Sequence, residues 1–238
     1  MKKIAIFQPF YLPWYCFFEI LNSIDCFVFF DDVQFVKKTF INRNYINNNN
    51  NKFLLTVPII NKNKIQNIKD TKIDTSKNWQ LKHYKTISTC YNRSLYSNVL
   101  QPFIEKIYLK NKWENLSELN CYIIQEIAKL LNLSHIKWFY SSNLKISGNK
   151  VGDRAIKICK ELECDHLVNG PKSLEFLDLQ LFKKFNVNLS IINYGEKKYP
   201  QLTSSNKFVH RLSIIDAIFN CGVKHDSYLK NNNLVKII

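Results

Sequence analysis

The sequence predicts an α/β fold: a mostly parallel sheet of βαβ units, with a helical layer or subdomain in the middle of the chain. Short apolar runs that alternate with helical periodicity occupy both ends of the chain, as at residues 26–30 and 166–168. A block of helical periodicity at about residues 79–132 separates these two parts. Strands joined by crossovers of this length form right-handed βαβ units and hence parallel sheets.

The first part of the chain combines buried strands with proline-bounded turns. Pro13 opens a helix, since proline is tolerated in the first helical turn and not inside a helix. Five asparagines at 47–51 indicate a hairpin or an edge loop. Residues 61–78, rich in Lys and Asn, are predicted to form a solvated loop with a short strand. The predicted elements are strand 3–7, helix 14–21, strand 26–30 and strand 53–57.

Periodicity defines the remaining elements. Apolar residues three and four apart predict helices in the middle block, and the segment beginning at 115 is the clearest amphipathic helix. The predicted helices there are 79–90, 99–109 and 115–132. After residue 135 the alternation returns, with strand 136–140, helix 153–162, strand 166–168, helix 173–185, strand 187–194 and helix 212–221.

Length and composition indicate one domain over residues 1–238, with 46% apolar residues to fill a core. The formal charge of +15 is spread over scattered lysines, so a nucleic-acid partner is not predicted. An anionic small molecule, such as a nucleotide-linked sugar, fits this charge. Without a run of eighteen apolar residues or a secretory signal, the sequence predicts a cytoplasmic protein with no membrane span.

Cysteine and glycine usage exclude several kinds of site. The seven cysteines are odd in number, which argues against a disulfide framework in a cytoplasmic chain. They include no C-x-x-C pair, which argues against a zinc finger, and no metal site is predicted. A catalytic thiol would need a histidine partner, and none is identifiable from the sequence. With five glycines in all, a glycine-rich phosphate cradle is excluded, and no stable cofactor is predicted.

Polar residues follow three of the predicted strands at the point where each strand ends. Gln8 follows the first strand, Asp31 and Asp32 follow the second, and Asn169 ends the strand at 166–168. The carboxyl ends of parallel strands line the ligand crevice, so we expect these side chains to converge. Two close carboxylates raise the pKa of one, which suits a general base. The alternative is that Asp32 caps a turn and Asp31 is solvated.

Clustered hydrogen-bond donors follow the two aspartates. Lys38, Asn42, Arg43 and Asn44 are interpreted as ligand contacts, with Arg43 able to hold phosphate or carboxylate oxygens bidentately. Gln34 lies in the same stretch and is assigned to the ligand site with them. For each lysine alone, a solvated surface position is the alternative.

Aromatic residues and one histidine complete the candidate set. Tyr11 and Trp14, in a proline-bounded loop after the first strand, are candidates for a wall that stacks on a base or sugar, with core packing as the alternative. His210 is the best placed of five histidines for catalysis, and a structural role is its alternative. A triad of His210, Ser213 and Asp216 is not expected, because the last two would compete for one helix face.

Several of these stretches together resemble the WbqC-like protein family. The motifs are residues 8–14, 31–35, 42–44, 169–170 and 212–216. The resemblance spans residues 4 to about 222. Members of this family typically lie among genes for O-antigen or capsule assembly, which implies a role in lipopolysaccharide or other surface polysaccharide biosynthesis.

The leading functional hypothesis is a transferase that N-acylates or aminoacylates a nucleotide-linked amino sugar. Asp31 or Asp32 would be the base, Gln8 and Asn44 would orient the acyl carbonyl or sugar hydroxyls, and Arg43 and Lys38 would hold the diphosphate. An acyl carrier or thioester would supply the acyl group. The alternatives are an ATP-dependent, nucleotidyltransferase-like amide ligase, a non-catalytic sugar-nucleotide binding protein, and a glycosyltransferase with a metal on the aspartates.

Overall fold

A mostly parallel six-stranded sheet, flanked by helices on both faces, confirms the predicted α/β class. The computed structural model describes residues 1–60, 65–148, 150–193, 198–202, 207–224, 229 and 234–238. Its strands are β1 (Lys3–Phe7), β2 (Cys26–Phe29), β3 (Arg43–Asn48), β4 (Asn51–Thr56), β5 (Lys137–Tyr140), β6 (His166–Asn169), β7 (Asn188–Ile192) and β8 (Leu234–Lys236).

The strand order in the main sheet is β5-β2-β1-β6-β7-β8. All neighbours run parallel except β8, which the sequence did not predict and which pairs antiparallel with β7 at the edge. Strands β3 and β4 form a separate antiparallel hairpin, the first of the two alternatives predicted for the asparagine-rich turn. Asn49 and Asn50 turn the chain with positive φ angles, which asparagine tolerates well.

The α-helices of the described residues agree in order with those predicted. They are α1 (Tyr15–Leu21), α2 (Trp79–Tyr91), α3 (Ser97–Glu105), α4 (Leu116–Leu130), α5 (Ser141–Leu144), α6 (Val151–Glu161), α7 (Leu179–Lys184) and α8 (Ile214–Cys221). The short α5 was not predicted. Within the described ranges, none of the helices has the length and apolar composition needed to span a bilayer.

Two predicted helices differ in detail. The segment at 173–185 is split into a 3-10 turn, Pro171–Glu175, and α7. Asp178 causes the break, because its side chain caps α7 by accepting hydrogen bonds from the amides of Gln180 and Leu181. The helix predicted at 99–109 ends as a π-helical turn, Lys106–Lys110. Residues 61–64 of the predicted loop and residue 194 of the last predicted strand lie outside the described residues.

The core has two parts, one on each face of the sheet. Alternate residues of β2 point to opposite faces, so Phe27 and Phe29 enter the larger part while Cys26 and Val28 enter the smaller one. The larger part also contains the buried faces of α1 to α4 and α8, and the smaller part those of α6 and α7. The middle helices therefore form a layer on the sheet. Each large side chain buried in this way stabilises the fold by about 1.5–3 kcal/mol.

Candidate functional site

Three adjacent parallel strands bring polar residues to one edge of the sheet. Phe7 in β1 lies opposite Phe29 in β2, and Phe29 lies opposite Tyr140 in β5. The chain then leaves each strand at the same level, so the next residues along all three strands share the carboxyl edge. The predicted adjacency of the first two strands is confirmed. The contribution of β5, which adds Ser141 and Ser142, was not predicted.

Asp31 is almost fully buried, with 4% of its surface exposed, and the two serines supply its hydrogen bonds. Its Oδ2 accepts from Ser142 Oγ at 2.7 Å, and its Oδ1 accepts from the Ser142 amide at 3.0 Å. Ser141 Oγ also lies 3.1 Å from Oδ1, but its single proton is shared with the nearer Asp32 carboxylate. The two Ser142 donors hold the Asp31 carboxylate in one orientation. The alternative of a solvated Asp31 is wrong.

Asp32 is paired with a cation. Arg154 Nη2 donates to Asp32 Oδ2 at 2.5 Å, and Ser141 Oγ donates to Oδ1 at 2.5 Å. Burial raises the pKa of the Asp32 carboxyl, but the hydrogen bonds from Arg154 and Ser141 and the charge of Arg154 outweigh burial and lower it. The sequence predicts that one of the two carboxyl pKa values is raised. Asp32 is not that group, since it is ionised at neutral pH.

Several contacts fix the position of the Arg154 side chain. Its Nε donates to the Ile146 carbonyl at 2.8 Å, and its guanidinium carbon lies 4.7 Å from the centre of the Phe30 ring, a cation–π contact. A Cβ on Gly148 would lie 2.8 Å from Arg154 Cβ, so only glycine fits without a shift. Nη1 has no partner among the described residues. Arg154 can therefore hold Asp32 and still offer donors to an anionic ligand.

Two side-chain amides lie at the same edge. Gln8 is half-buried, and its side chain makes no hydrogen bond within the described part of the chain. Asn169 accepts a hydrogen bond from the Gly170 amide at 2.8 Å through Oδ1, which leaves its NH2 group as a donor. Both residues thus have hydrogen-bonding capacity available at the crevice.

Asn120, on α4, connects the sheet edge to the segment that precedes the hairpin. Its Nδ2 donates to the Pro9 carbonyl at 2.8 Å and to the Ile41 carbonyl at 2.7 Å. Because Pro9 follows Gln8 and Ile41 precedes Asn42, the two clusters of predicted residues meet around this amide. Asn120 is completely buried and was not predicted.

A surface cavity of about 220 Å³, called the hairpin cavity below, collects three of the predicted ligand residues. They are Lys38, Asn42 and Arg43. The Arg43 guanidinium donates to the Lys38 carbonyl, which the positive φ of 63° at Lys38 turns toward it. The cavity is lined by Phe35, Lys37, Lys38, Asn42, Arg43, Thr56 and Ile59.

Two predicted ligand residues have structural roles instead. Tyr11 is fully buried, and its hydroxyl contacts His83 Nδ1 at 2.8 Å and the Tyr108 hydroxyl. Asn44 is 2% exposed, and its Nδ2 donates to the Leu12 carbonyl at 2.7 Å, which holds the loop at the positive φ of Leu12. The structure corrects both assignments, because neither side chain reaches the surface in this conformation.

The remaining predicted residues make none of the hydrogen bonds to the aspartates described above. Trp14 is half-buried, with its ring 5.9 Å from both Phe10 and Phe40. Gln34 is exposed and pairs through its backbone with Asn67. His210 packs edge-on against the Phe208 ring at 4.8 Å, and it contributes none of the hydrogen bonds to the two aspartates described above. Asp31 and Asp32 are thus grouped with serines and an arginine, and not with His210.

A third carboxyl group, Asp216, is completely buried on α8. It accepts hydrogen bonds from Tyr91 at 2.9 Å, Tyr199 at 2.8 Å and Gln201 at 2.9 Å. Burial raises the pKa of Asp216 to about 6, although the three donors lower it. Ser213 caps this helix by accepting a hydrogen bond from the Ile215 amide. Asp216 turns away from Ser213 and fastens residues 198–202 to the core.

The fold and the sheet-edge residues together define an α/β protein with a candidate ligand site at the carboxyl ends of its parallel strands. The chain belongs to the WbqC-like protein family, whose model matches residues 8–228. It is 28% identical over 232 residues to the uncharacterized protein Rv1507c of Mycobacterium tuberculosis (strain ATCC 25618 / H37Rv), covering 97% of this chain and 98% of that relative. No solved structure matches the chain.

Proposed function

We propose that the protein is a transferase that N-acylates or aminoacylates a nucleotide-linked amino sugar in bacterial surface polysaccharide assembly. The observation that carries this proposal is the meeting of Gln8, Asp31, Asp32, Ser142 and Arg154 at the carboxyl edge of the sheet. Ligands of open parallel sheets bind at this edge. The polysaccharide context comes from the family resemblance, the amino sugar is our hypothesis, and the net charge of +15 suits an anionic substrate.

In the proposed reaction the sugar amine attacks the carbonyl carbon of a thioester carried by coenzyme A or an acyl carrier. The C–N bond forms and the C–S bond breaks, and the leaving thiolate takes up a proton. Ser142 Oγ is half-buried and 2.7 Å from Asp31, so it passes the amine proton to that carboxylate. Gln8 and Asn169 donate to the carbonyl oxygen, where negative charge develops.

Charged residues would bind the rest of the substrate. Asp32 remains ionised and orients Arg154, whose free Nη1 can contact an anionic group. Lys38 and Arg43 would hold the diphosphate, as the sequence predicts. The proposed roles of Asp31 and Asp32 therefore differ: Asp31 accepts a proton through a serine, and Asp32 positions a cation.

The test is a transfer assay with the purified full chain. UDP- and dTDP-linked amino sugars are combined with acyl-coenzyme A or acyl-carrier thioesters, and the acylated product is detected by its mass. Asp31→Asn should reduce the rate by about a hundredfold or more. The matched control is Asp25→Asn, because Asp25 lies at the opposite end of β2, where it accepts from the Lys3 amide, and it should retain full activity.

Failure of transfer with every donor would overturn the proposal. If the same assay with ATP and a free acid released pyrophosphate, the alternative of an ATP-dependent amide ligase would replace it. Equal loss of activity in Asp31→Asn and Asp25→Asn would show that the substitution acts through stability and would reject Asp31 as the proton acceptor.

A second candidate, a non-catalytic sugar-nucleotide binding protein, is favoured by one specific observation. Both aspartates are occupied by donors of the protein itself, and the pKa of Asp32 is lowered, which is opposite to the tuning of a general base. This candidate predicts that nucleotide amino sugars bind without turnover and that Asp31→Asn still binds them. Calorimetric titration beside the transfer assay separates the two functions.

A further inference from the structure

The hairpin cavity has an excess of positive charge that the protein does not neutralise. Lys37, Lys38 and Arg43 line it, and the lining residues include no Asp or Glu. Within the described part of the chain, none of the three forms an ion pair. The Arg43 guanidinium donates only to the Lys38 carbonyl among the described contacts, so most of its donors remain for a ligand. This arrangement favours an anion.

Asn42 adds an unsatisfied acceptor to the wall of the same cavity. The residue is 8% exposed, and its Nδ2 donates to the Val57 carbonyl at 3.0 Å. Its Oδ1 is buried and has no hydrogen-bond partner. Buried amide oxygens are normally satisfied, so this atom is suited to a donor that a bound molecule supplies. A sugar hydroxyl would meet this need, whereas the phosphate oxygens that accept hydrogen bonds from the three cations would not.

The rest of the lining is partly apolar. Phe35 is 5% exposed, and Ile59 is half-buried. An aromatic ring and an aliphatic chain beside hydrogen-bonding groups match the surface of a sugar ring, which has apolar C–H faces and polar edges. The cavity, of about 220 Å³, is open at the surface, so a ligand larger than a sugar phosphate can extend beyond it.

We propose that the hairpin cavity binds a phosphorylated sugar, with the phosphate on Lys37, Lys38 and Arg43 and a sugar hydroxyl donating to Asn42 Oδ1. The choice of a sugar rests on the proposed function, whereas the phosphate contacts stand without it. Asn42 is then the residue that distinguishes a phosphorylated sugar from inorganic phosphate. The link through Asn120 places this cavity next to the sheet edge, where the rest of a longer ligand would extend.

Calorimetric titration of the full chain tests this proposal with three probes: a hexosamine 1-phosphate, a hexose 1-phosphate and inorganic phosphate. Lys38→Gln and Arg43→Gln should each weaken binding of every probe by about tenfold, because each removes one charged contact. Arg43→Lys, which retains the charge and loses the planar donors, should lose less. Asn42→Leu should weaken the two sugar phosphates and leave inorganic phosphate unchanged.

The matched control is Lys52→Gln, on the same hairpin but facing the Tyr45 ring and outside the cavity lining. It should change no affinity by more than about twofold. Circular dichroism of each variant shows whether the fold is retained. If Lys52→Gln weakens binding as much as Lys38→Gln, diffuse surface charge explains the affinity and the proposal is rejected. No saturable binding of any probe would reject it as well.

The outcome also separates this inference from the proposed function. Binding here is measured without turnover, and Asp31→Asn should leave the affinity for all three probes unchanged. If sugar phosphates bind as described while no acyl transfer occurs, the cavity assignment stands and the transferase proposal fails. If acyl transfer occurs while Lys38→Gln and Arg43→Gln leave binding of the probes intact, the transferase proposal stands and the cavity assignment fails.

Discussion

Asp32 and Asp216 are both hydrogen-bonded carboxyl groups, and the environment shifts their pKa values in opposite directions. Asp32 has two donors, one of them the Arg154 cation, and its side chain is 20% exposed. Asp216 has three donors, all neutral, and is completely buried. The number of hydrogen bonds therefore does not decide the direction. The pKa of Asp32 is lowered because that carboxyl has a full positive charge beside it and contact with solvent. Asp216 has neither, so burial raises its pKa.

This difference assigns separate roles to the two regions. A carboxylate that remains ionised beside a partly exposed arginine preserves charge at a surface that a ligand can reach. A fully buried carboxyl with phenol and amide donors instead ties segments of the chain together, since it joins α8 to α2 and to residues 199 and 201. The four predictions below test this division, beginning with the largest expected effect.

Removal of the Asp216 carboxyl should have the largest effect on stability. Asp216→Ala removes an acceptor from the two buried tyrosine hydroxyls and one of the two acceptors of the half-buried Gln201 amide, and should lower the free energy of unfolding by about 4 kcal/mol. Asp216→Asn retains one acceptor oxygen and should lose less. Urea denaturation followed by circular dichroism measures both. A loss below 0.5 kcal/mol in Asp216→Ala, on the order of a surface change, would show that this carboxyl is not structural.

The pH dependence of stability should reveal the same carboxyl. Because the folded pKa of Asp216 is about 6 and the ordinary value is 3.8, the fold favours its protonated form. The stabilisation is fully present below pH 4 and is lost as the pH rises to about 6, with an amplitude of about 3 kcal/mol. His83 opposes this slope, since burial lowers its pKa from 6.5 to about 4 and its protonation destabilises the fold in the same range.

The measurement therefore compares the wild type with Asp216→Asn across pH 4–7, so that the His83 contribution cancels. The difference in unfolding free energy should grow in favour of the wild type as the pH falls through 6. Asp32→Asn, in contrast, should remove stability that is present at neutral pH and is lost in acid, because the folded pKa of Asp32 is lowered. If the unfolding free energies of Asp216→Asn and Asp32→Asn changed with pH in the same direction relative to the wild type, the proposed difference between the two carboxyl groups would be refuted.

Without the Arg154 cation, the pKa of Asp32 should shift upward, in the direction seen for Asp216. In Arg154→Met, the pKa of Asp32 should rise, because burial then acts without the opposing charge. Stability should fall by about 1.5 kcal/mol, a value reduced by solvent screening of the partly exposed pair. Carboxyl NMR titration gives the pKa. The control is Lys157→Met, which breaks an exposed pair with Asp153 and should cost less than about 0.5 kcal/mol.

The contrast also explains how much of the molecule could be predicted from its sequence. Gln8 and the aspartates end strands that adjoin along the chain, so the apolar runs and the crossover rule placed them at one edge. Arg154 lies 122 residues after Asp32, and Ser141 follows a strand that joins the sheet beside β2 after the whole helical block. No local pattern specifies that pairing.

The burial of two predicted ligand residues could not be predicted from the sequence either. Tyr11 and Asn44 have the residue types and the position of ligand contacts, but their partners come from α2, from the π-helical turn after α3 and from the proline loop. Asp178 could have been predicted, since an acidic residue in the middle of an apolar periodicity is typical of a helix N-cap. The need for glycine at position 148 could not be predicted, because it depends on the position of the Arg154 side chain.

Gly148 provides the smallest and most specific test of the Asp32–Arg154 pair. In Gly148→Ala, the new methyl group would lie 2.8 Å from Arg154 Cβ and 2.9 Å from the Arg154 backbone nitrogen, so the start of α6 must shift. We expect a loss of about 1 kcal/mol in the free energy of unfolding and a partial rise in the pKa of Asp32. Both would occur although the substitution removes no charged group. Gly152→Ala, in the first turn of α6, is the matched control, because its methyl group would meet Leu177 at an ordinary 3.4 Å. It should be neutral or slightly stabilising, since alanine favours the helix over glycine. If both alanine variants leave the pKa of Asp32 unchanged, the position of Arg154 does not control that carboxyl, and its charge alone accounts for the contrast with Asp216.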